Sequence, residues 1–427
     1  MIYSFDSLRI TDDTRLKEEA DLFLLTDQNK KYCKNMQDIS LVTPKELIER
    51  FALDDIQIVG ITGTNGKTTT AAAIYSILND LGYKTALQGT RGFFIADEAI
   101  EPKSLTTPSI LTTLYHLHLA KQRGASHFVM EVSSHAIAQN RIEDLPFALK
   151  VLTNISQDHL DYHKTMQNYA ATKSSFFQDE TPKLINKEEP RIQFNPKGAR
   201  TYALEELATY QILAYSLEEG ISAVLRFGSE MVDFHSPLMG LFNLYNLTAA
   251  IGAVHMLTNE DLAKICKACE NFGGVRGRMQ IVSYNPLIIV DFAHTPDGMQ
   301  KVFESFPGKK IVALFGAGGD RDNKKRPLMG NVASRFCTRV YLTSDNPRSE
   351  EPNAIIDQIQ SGIKTDIPVV VEPDRQKALR QALEELKKDE ILLVLGKGDE
   401  EYMEQNGQKI PFSDVAEIDK ILKNKKS

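Results

Sequence analysis

The chain has 427 residues, 42% of them hydrophobic and 25% charged, and its formal net charge at pH 7 is −7. This length predicts about two or three domains, and the acidic, mixed composition argues against a general nucleic-acid binder. The amino terminus lacks the basic and apolar regions of a signal peptide, and no apolar run is long enough to span a membrane. We therefore expect a cytoplasmic protein with no nucleic-acid or membrane partner.

Residues 1–53 predict a small mixed unit whose clearest strand lies at residues 21–26. Residues 56–62 then predict a buried strand. After it, apolar residues recur with the spacing of one helix face, at Ile74, Ile77, Leu78 and Leu81. A strand, a glycine loop and a helix therefore follow one another directly.

The loop between that strand and helix has the sequence Thr62-Gly-Thr-Asn-Gly-Lys-Thr68. A glycine loop at a helix start binds anions, because backbone N–H groups and the helix dipole both point at the ligand. In such a loop Lys67 would contact the outer phosphates of a nucleotide, and the Thr68 hydroxyl would contact Mg²⁺. Ile61 stands where the strict P-loop pattern has its first glycine. We therefore predict a variant nucleotide loop, with a glycine turn that binds no ligand as the alternative.

Strands and helices continue to alternate after this unit. Strands are predicted near residues 84–87, 128–132 and 151–154, with a helix after Pro108. Beyond Gly274 the alternation restarts, and strands are predicted at residues 287–290, 311–315, 340–343, 369–371 and 391–395. Helices between strands favour parallel sheets, and ligands bind at the carboxyl ends of such strands. We therefore expect two α/β domains with a cleft between them.

Polar residues near strand ends are the first candidates for chemistry. Glu131 ends an apolar strand, where it can reach a metal beside the loop or form an ordinary salt bridge. Residues 154–163 contain two aspartates and two histidines, which fit a metal or phosphate site as well as they fit an unspecialised polar loop. Cys266 and Cys269 lie in a predicted helix without a second pair, so ordinary thiols are favoured over a zinc site.

Two arginine positions are also candidates. Arg276 and Arg278 follow the glycines at the predicted domain junction, where a cation either meets phosphate or is simply solvated. Arg348 ends the turn Asp345-Asn-Pro-Arg348, and its planar guanidinium suits a carboxylate; an ordinary surface arginine after a proline turn is the alternative. The residue pattern does not select Lys173, which looks like a surface helix lysine, and residues 420–427 predict a solvated tail.

Together these segments resemble the Mur ligases of peptidoglycan synthesis, and most closely the diaminopimelate-adding members of that family. The resemblance covers about residues 56–415. It rests on motifs in matching order: Thr62-Gly-Thr-Asn-Gly-Lys-Thr68, Leu105-Thr-Thr-Pro108, Glu131-Val-Ser-Ser-His135, Asp158-His-Leu-Asp-Tyr-His163, Ala171-Thr-Lys173, Arg276-Gly-Arg278, Asp291-Phe-Ala-His-Thr-Pro296, Gly319-Asp-Arg321 and Asp345-Asn-Pro-Arg348.

The resemblance implies an α/β fold with three domains. Residues 1–53 would form a shortened domain for the UDP substrate, residues 54–273 a central ATP-binding P-loop domain with a mostly parallel sheet, and residues 274–427 a Rossmann-like domain for the amino acid. The implied activity is ATP-dependent amide-bond formation, in which a phosphorylated substrate carboxylate is attacked by an amine and ADP and phosphate are released. Such chemistry depends on positioning and charge neutralisation more than on a protein nucleophile.

The resemblance also assigns roles to residues. ATP is assigned to Gly63, Thr64, Asn65, Gly66, Lys67, Thr68, Thr69, Asn243, Arg278 and His294. Thr68 and Glu131 are assigned to one Mg²⁺, and His159 and a carbamylated Lys173 to a second; the expected catalytic residues are Lys67, Glu131, His159 and Lys173. The UDP-N-acetylmuramoyl dipeptide is assigned to Thr14, Thr106, Thr107, Ser133, Gln139 and Arg141, and meso-diaminopimelate to Arg321, Asp345, Asn346, Arg348, Gly396 and Glu400.

Two departures from the family pattern and three rival functions accompany these assignments. Asp399 stands where the family often has histidine, and only about 55 residues precede the P-loop strand, so uridine contacts are reduced or come from other segments. A lysine-adding ligase is disfavoured because lysine offers Arg348 no second carboxylate, and folylpolyglutamate synthetase is disfavoured by the Thr106-Thr107 segment. A P-loop ATPase without ligase activity leaves the diaminopimelate motif without a purpose. We expect a monomer.

Overall fold

The protein, seen in a computed structural model, is described over residues 1–33, 39–102 and 105–424. Within these residues the strands, numbered β1 to β23 in chain order, are Ile2–Phe5, Leu8–Thr11, Leu22–Leu24, Ser40–Val42, Gln57–Thr62, Thr85–Gly89, Gly92–Ile95, Glu98–Glu101, His127–Glu131, Phe147–Leu152, Lys183–Asn186, Ala199–Ala203, Tyr210–Ser216, Ile221–Phe227, Glu230–Ser236, Gln280–Tyr284, Leu287–Asp291, Lys310–Phe315, Cys337–Leu342, Val369–Val371, Glu390–Leu395, Tyr402–Gln405 and Gln408–Pro411.

The α-helices of the same ranges, α1 to α13, are Pro44–Phe51, Lys67–Asp80, Ile110–Gln122, Ser134–Ala138, Leu160–His163, Met166–Ser175, Leu241–Thr258, Leu262–Cys269, Pro296–Glu304, Lys325–Phe336, Pro352–Gln360, Arg375–Glu385 and Asp414–Asn424. Short 3₁₀ helices lie at Thr14–Glu19, Lys30–Tyr32 and Leu53–Asp55. None of the helices in the described ranges is long and apolar enough to cross a membrane.

The first sheet belongs to the amino-terminal residues and has the order β1-β2-β3-β4. The strand predicted at residues 21–26 is confirmed as β3, but the sequence did not predict β1, β2 and β4. These strands have only three or four residues each, which is too short for the alternation of apolar and polar residues to stand out.

The central sheet places β5, the strand before the glycine loop, between β9 and β10. Its order is β15-β14-β13-β12-β11-β10-β5-β9-β6-β7-β8, and the strands from β13 through β6 run parallel. Because Ile61 pairs with Glu131, and Thr62 with Leu152, the carboxyl ends of these three strands meet at one edge. The predicted strands at 56–62, 84–87 and 128–132 are confirmed, and the one predicted at 151–154 lies earlier, at Phe147–Leu152, while β7, β8 and β11 to β15 were not predicted.

Helix α2 begins directly after the glycine loop and packs into the core of this sheet. Its first residue, Lys67, follows Gly66, whose φ of 84° lies in the left-handed region that favours glycine. A side chain at Gly66 would also clash with Asn246 of α7. Ile74, Ile77 and Leu78 are fully buried, and burying each such side chain stabilises the fold by about 1.5–3 kcal/mol. The loop geometry is therefore fixed by a well-anchored helix.

The third sheet has the order β16-β17-β21-β18-β19-β20 and is parallel except for β16. All five strands predicted after Gly274 are confirmed as β17 to β21. Buried apolar side chains form a core on each face of this sheet. The expected solvated tail is wrong for residues 420–424, because they belong to α13 and Ile421 is buried; residues 425–427 lie outside the described chain.

The three predicted domain ranges correspond in order to these three sheets, and their exact limits stay a prediction. Cys266 and Cys269 are both buried thiols in α8. Burial raises the pKa of Cys266 to about 12, which keeps the thiol protonated at neutral pH. Ordinary core thiols, the reading favoured from sequence, account for this pair.

Candidate active site

The glycine loop is held at the edge of the central sheet by the segment that follows β10. The Thr64 N–H donates to the Asn154 carbonyl over 2.8 Å, and the Asn65 N–H donates to the Asn154 side-chain oxygen over 3.0 Å. Thr64 Oγ1 also lies 3.0 Å from the Tyr169 hydroxyl of α6. These bonds fix the loop in front of the first turn of α2, where backbone N–H groups have no partner within the helix.

Lys67 lies folded back over this loop. Its Nζ donates to the carbonyls of Gly63 and Thr64, each over 2.9 Å. Burial lowers the pKa of Lys67, while Glu131 and Asp158 oppose that effect. A cationic amine beside a helix amino terminus fits the phosphates of a nucleotide. Thr69, in the same helical turn, is buried and faces the protein interior.

Thr68 and Glu131 come together as the sequence predicted. Thr68 Oγ1 donates to Glu131 Oε2 over 3.0 Å, and Glu131 is 2% exposed. Thr90 holds the carboxylate from the other side, because its N–H donates to Oε1 over 2.8 Å. A hydroxyl beside a carboxylate at a phosphate loop suits Mg²⁺, which combines few protein oxygens with phosphate and water oxygens.

Lys173 is the most unusual side chain at this edge. It lies on α6, is 1% exposed, and its Nζ donates to the Gly63 carbonyl over 2.8 Å and to Thr62 Oγ1 over 3.3 Å. Burial, and then the charge of Lys67, hold the pKa of Lys173 well below its ordinary value. The surface location suggested by its sequence is therefore wrong; the apolar residues of α6 gave no sign that this lysine points inward.

His159 lies just before α5 in the loop after β10. Its Nε2 is 3.3 Å from Asp158 Oδ2, and its ring is 4.8 Å from that of His135. Burial lowers the pKa of His159 to about 4, so the ring is neutral at pH 7 and has a lone pair for a metal or a proton. Among the described residues, no group of three or more His, Cys, Asp or Glu side chains is arranged to hold a metal ion. A second Mg²⁺ would therefore need other oxygens, such as those of a carbamate on Lys173.

The residues assigned to the muramoyl substrate form a network next to the metal residues. Thr107 Oγ1 donates to the Glu131 carbonyl over 2.9 Å and accepts from the Ser133 N–H over 2.9 Å. Arg141 donates to the Thr107 carbonyl over 3.0 Å and to the Gln139 side-chain oxygen over 2.6 Å. Hydrogen bonds thus link Thr107, Ser133, Gln139 and Arg141 in a row that starts at Glu131. We call this row, with Thr106, the substrate wall, and Arg141 supplies its positive charge.

Thr106 and Thr14 complete the substrate assignments. Thr106 Oγ1 lies 3.2 Å from Thr90 Oγ1, so it connects the substrate wall with the carboxylate of Glu131. Thr14 begins a 3₁₀ helix in the amino-terminal unit. That unit reaches the substrate wall through Gln28, whose side-chain amide donates to the Gln139 carbonyl. A small amino-terminal sheet therefore abuts the end of the wall.

The other nucleotide residues lie on two sides of the loop. Asn243 is buried in α7, where it accepts from Asn246 over 3.1 Å. Arg278 and His294 lie beyond the domain junction, and the Arg278 guanidinium stacks 4.1 Å from the Phe292 ring centre. Burial and then Lys325 lower the pKa of His294 to about 4. Arg278 and His294 therefore both lie against Phe292, whereas Asn243 lies within α7.

The central and carboxyl-terminal domains touch at the glycine loop. Asn65 Nδ2 donates to Asp297 Oδ2 of α9 over 2.9 Å, and Arg91 lies 4.0 Å from Asp399. A cavity of about 320 Å³ lies at the same junction, lined in part by Thr68, Gly89, Arg91, Glu131, Gly274 and Val275. The cavity therefore opens against the predicted metal residues and against the segment that joins the two domains.

The residues assigned to the amino acid meet at the carboxyl edge of the third sheet. Arg348 follows β19, and its Nε donates to Glu404 Oε2 over 3.1 Å while its Nη1 donates to the Gly319 carbonyl over 2.7 Å. Asn346 donates to Glu400 Oε2 over 2.8 Å. Arg348 is thus a partly buried guanidinium held by two acceptors and not a free surface arginine.

Glycine and two further charged residues shape this edge. Gly396 has a φ of 107°, and a Cβ there would lie 2.5 Å from Asp345 Oδ2; the loop therefore requires glycine next to that carboxylate. Lys397 is fully buried and donates to Asn346 over 3.1 Å and to Glu400 over 3.0 Å. Arg321 is exposed, with its side chain on the same side of Gly318 as Arg348.

Sequence reasoning did not select Thr90, Asp297, Lys397 and Glu404, although all four contact predicted site residues. Lys397 lies inside the glycine motif at the end of β21, so its position between Gly396 and Gly398 was a usable signal. The other three depend on contacts between segments far apart in the chain, which a single sequence does not reveal.

Comparisons with known proteins agree with this geometry. The family described as Mur ligase middle domain matches residues 61–254, and the family described as Mur ligase, glutamate ligase domain matches residues 277–398. A protein from Wolinella succinogenes named UDP-N-acetylmuramoyl-L-alanyl-D-glutamate–2,6-diaminopimelate ligase is 54% identical, covering 95% of this chain and 94% of that relative. A Helicobacter pylori protein of the same name is 51% identical, covering 92% and 90%.

Solved structures show the same fold. A structure of a UDP-N-acetylmuramoyl-L-alanyl-D-glutamate–2,6-diaminopimelate ligase has a TM-score of 0.67 at 28% identity and covers 96% of this chain and 93% of its own. Folylpolyglutamate synthase from Mycobacterium tuberculosis, solved with ADP and AMPPCP, has a TM-score of 0.67 at 16% identity, covering 83% and 91%. The chain therefore belongs to the Mur ligase family and is an ATP-dependent, amide-bond-forming ligase of peptidoglycan synthesis.

Proposed function

We propose that this chain joins meso-2,6-diaminopimelate to the D-glutamate carboxylate of UDP-N-acetylmuramoyl-L-alanyl-D-glutamate, with ATP activating that carboxylate as an acyl phosphate. The observation that carries the choice of amino acid is Arg348, a half-buried guanidinium held at the carboxyl edge of the third sheet. A fork of this kind binds a carboxylate by charge-assisted hydrogen bonds. The names of the Wolinella and Helicobacter relatives point to the same substrates.

The nucleotide end of the reaction is assigned to the glycine loop. Lys67 would exchange its bonds to the Gly63 and Thr64 carbonyls for bonds to phosphate oxygens, since a phosphate is the stronger partner for a cation. Thr68 and Glu131 would hold Mg²⁺. When bound, this ion neutralises phosphate charge as the phosphoryl group transfers.

Burial, and then the charge of Lys67, lower the pKa of Lys173 and so favour its uncharged amine, the form that combines with carbon dioxide to give a carbamate. The conversion replaces a basic amine with an anion beside Thr62 and Gly63. His159, neutral at pH 7, would share the second cation site with that carbamate. Burial that disfavours an ammonium therefore favours the chemistry that turns this lysine into a metal ligand.

The muramoyl substrate is assigned to the wall formed by Thr106, Thr107, Ser133, Gln139 and Arg141. This wall begins at Glu131 and ends where Gln28 of the amino-terminal unit touches Gln139. A substrate lying along it would place its reacting carboxylate near the metal residues and its nucleotide end near residues such as Thr14. The short amino-terminal sheet would then supply only part of the uridine contacts. We expect the protein to act in the cytoplasm as a monomer, and size-exclusion chromatography with light scattering tests the second point.

Phosphate release separates this function from its alternatives. Purified protein with ATP, Mg²⁺ and UDP-N-acetylmuramoyl-L-alanyl-D-glutamate should release phosphate rapidly with meso-diaminopimelate and at least about tenfold more slowly with lysine, which lacks the carboxylate that Arg348 binds. Faster release with lysine would indicate a lysine-adding ligase. Release that ignores both the amino acid and the muramoyl dipeptide would indicate an ATPase and refute the proposal.

Arg348→Ala tests the residue that carries the choice of amino acid. The lost charge-assisted hydrogen bonds are worth about 1.5–3 kcal/mol each, so kcat/KM for diaminopimelate should fall at least about tenfold while the KM for ATP stays within about twofold. Arg380→Ala, an exposed arginine on α12 of the same domain, is the matched control and should change neither. Equal losses for ATP and diaminopimelate would make Arg348 structural.

A further inference from the structure

Glu404 occupies an unassigned position inside the amino-acid site. It lies on β22, one strand of the two-stranded hairpin that follows the glycine motif. Its backbone N–H donates to the Asn346 side-chain oxygen over 2.9 Å, and its carbonyl accepts from the Arg348 N–H over 3.0 Å. The backbone of Glu404 is therefore fixed by two residues already assigned to diaminopimelate.

The side chain of Glu404 contacts Arg348 through one oxygen and is partly exposed. Oε2 accepts from Arg348 Nε over 3.1 Å, and among the described residues Oε1 has no hydrogen-bond partner. The Glu404 side chain is 33% exposed and that of Arg348 is 22% exposed. One carboxylate oxygen therefore orients the guanidinium, and the other is available to a ligand.

The charges of Arg348 and Glu404 indicate which ligand group the free oxygen of Glu404 binds. Arg348 and Glu404 form a pair with no net charge. A ligand that brings only a carboxylate to Arg348 places two anions beside one guanidinium, which is unfavourable at a half-buried site. A ligand that carries an ammonium on the same carbon as its carboxylate restores the balance, because each of its charges faces an opposite one.

This inference rests on the proposed function and refines its specificity. We propose that Glu404 is a second specificity-determining residue, whose free carboxylate oxygen binds the distal ammonium of diaminopimelate while Arg348 binds the distal carboxylate. The two protein groups lie side by side, as do the two ligand groups on one carbon. The site thus selects a complete distal amino-acid group and not simply a second carboxylate.

Besides Asp345, which is buried against Gly396, Glu400 is the competing carboxylate for that ammonium. Its Oε2 already accepts from Asn346 and from the fully buried Lys397. The charge of Glu400 is therefore matched within the protein before any ligand arrives. Within the described ranges, the charge of Glu404 is matched by Arg348 alone, whose own charge the ligand carboxylate requires.

A comparison of three amino acids tests the assignment. Diaminopimelate carries both distal groups, 2-aminopimelate keeps the distal carboxylate but lacks the ammonium, and lysine keeps the ammonium but lacks the carboxylate. Wild-type protein should prefer diaminopimelate to 2-aminopimelate by at least about tenfold in kcat/KM. In Glu404→Gln, whose amide oxygen still accepts from Arg348, KM for diaminopimelate should rise about tenfold or more while KM for 2-aminopimelate stays within about threefold.

Glu400→Gln, at the competing carboxylate of the same site, is the comparison variant, and further outcomes decide the inference. Equal losses for diaminopimelate and 2-aminopimelate in Glu404→Gln would show that Glu404 only positions Arg348. Loss of the preference in Glu400→Gln but not in Glu404→Gln would assign the ammonium to Glu400. Either result overturns the inference, whereas a wild type that releases no phosphate with diaminopimelate refutes the proposed function itself.

Folding of the variant is checked independently of turnover. The stabilisation of Glu404→Gln by ADP, measured as a shift in Tm, should equal that of the wild type because the nucleotide loop is untouched. The further stabilisation by diaminopimelate over that by 2-aminopimelate should be present in the wild type and absent in the variant. If the variant keeps that difference, the inference is wrong even where its activity is too low to measure.

Discussion

Replacing Lys173 with methionine separates a structural role for this side chain from a chemical one. Methionine keeps a similar length and apolar stem but removes the amine. In the structure that amine donates to the Gly63 carbonyl over 2.8 Å and to Thr62 Oγ1 over 3.3 Å, and the side chain is 1% exposed. The substitution therefore removes two hydrogen bonds and leaves the surrounding volume nearly filled.

The expected loss of stability is small because burial lowers the pKa of Lys173 and makes a charged amine unfavourable in this site. Leaving a buried acceptor without a donor costs about 1–3 kcal/mol, and the apolar thioether recovers part of this by burial. For a protein of this size we expect Tm to fall by no more than about 5 °C. Activity should fall more than about 100-fold, because changes around a metal site that spare the ligands already cost about 10- to 100-fold.

Three measurements test Lys173→Met. Phosphate release reports activity, thermal unfolding reports stability, and carbon NMR with ¹³C-labelled bicarbonate reports the carbamate directly. Lys183→Met is the matched control, since Lys183 is equally buried in the same domain and its bonds to described residues go to carbonyls away from the loop, those of Asp179, Asn195 and Lys197. The control should lose stability but keep the carbamate signal and the activity of its folded fraction. An active Lys173→Met, or a wild-type protein that turns over without a carbamate signal, would refute the reasoning.

Three further outcomes follow from contacts around the site. Glu131→Gln removes the charge beside Thr68 but little volume, so half-saturating Mg²⁺ for phosphate release should rise at least about tenfold. Asp297→Ala removes the hydrogen bond to Asn65 that joins the central and carboxyl-terminal domains. Losing a bond worth about 1 kcal/mol should lower the ratio of domain-closed to domain-open protein about fivefold. Small-angle scattering of the nucleotide-free variant that matches the wild type would contradict this. Burial lowers the pKa of His127 to about 4, so the folded protein holds this ring neutral while the unfolded chain protonates it near pH 6.5. The free energy of unfolding should therefore fall as the pH drops from about 6.5 to about 4. Urea unfolding of His127→Phe should show about 3 kcal/mol less pH dependence across that range, and parallel curves would contradict the linkage.

Much of this site was predictable because its residues lie at the ends of apolar strands. Glu131 ends β9 and Arg348 follows β19, and the strand pattern alone placed both at sheet edges. The family resemblance added Lys173, which composition does not select, and singled out His159 from a polar loop that composition left open. The inward direction of the Lys173 side chain depends on how α6 lies against the end of β5. The position of Glu404 depends on a hairpin that pairs with Arg348, after β19, from far along the chain. Such contacts are set by tertiary packing, which local spacing does not encode.

The two lysines at the glycine loop explain each other. Lys67 and Lys173 both donate to the carbonyl of Gly63, over 2.9 and 2.8 Å, so two ammonium groups would share one acceptor in a region shielded from water. Glu131 and Asp158 support the charge of Lys67, whereas burial and the charge of Lys67 itself disfavour a second cation at Lys173. Burial and the P-loop lysine thus both favour the neutral form of Lys173, which is the form that combines with carbon dioxide. With the proposed carbamate, the same proximity would become an attraction between cation and anion, and the new negative charge would lie beside the loop proposed to bind phosphate and Mg²⁺.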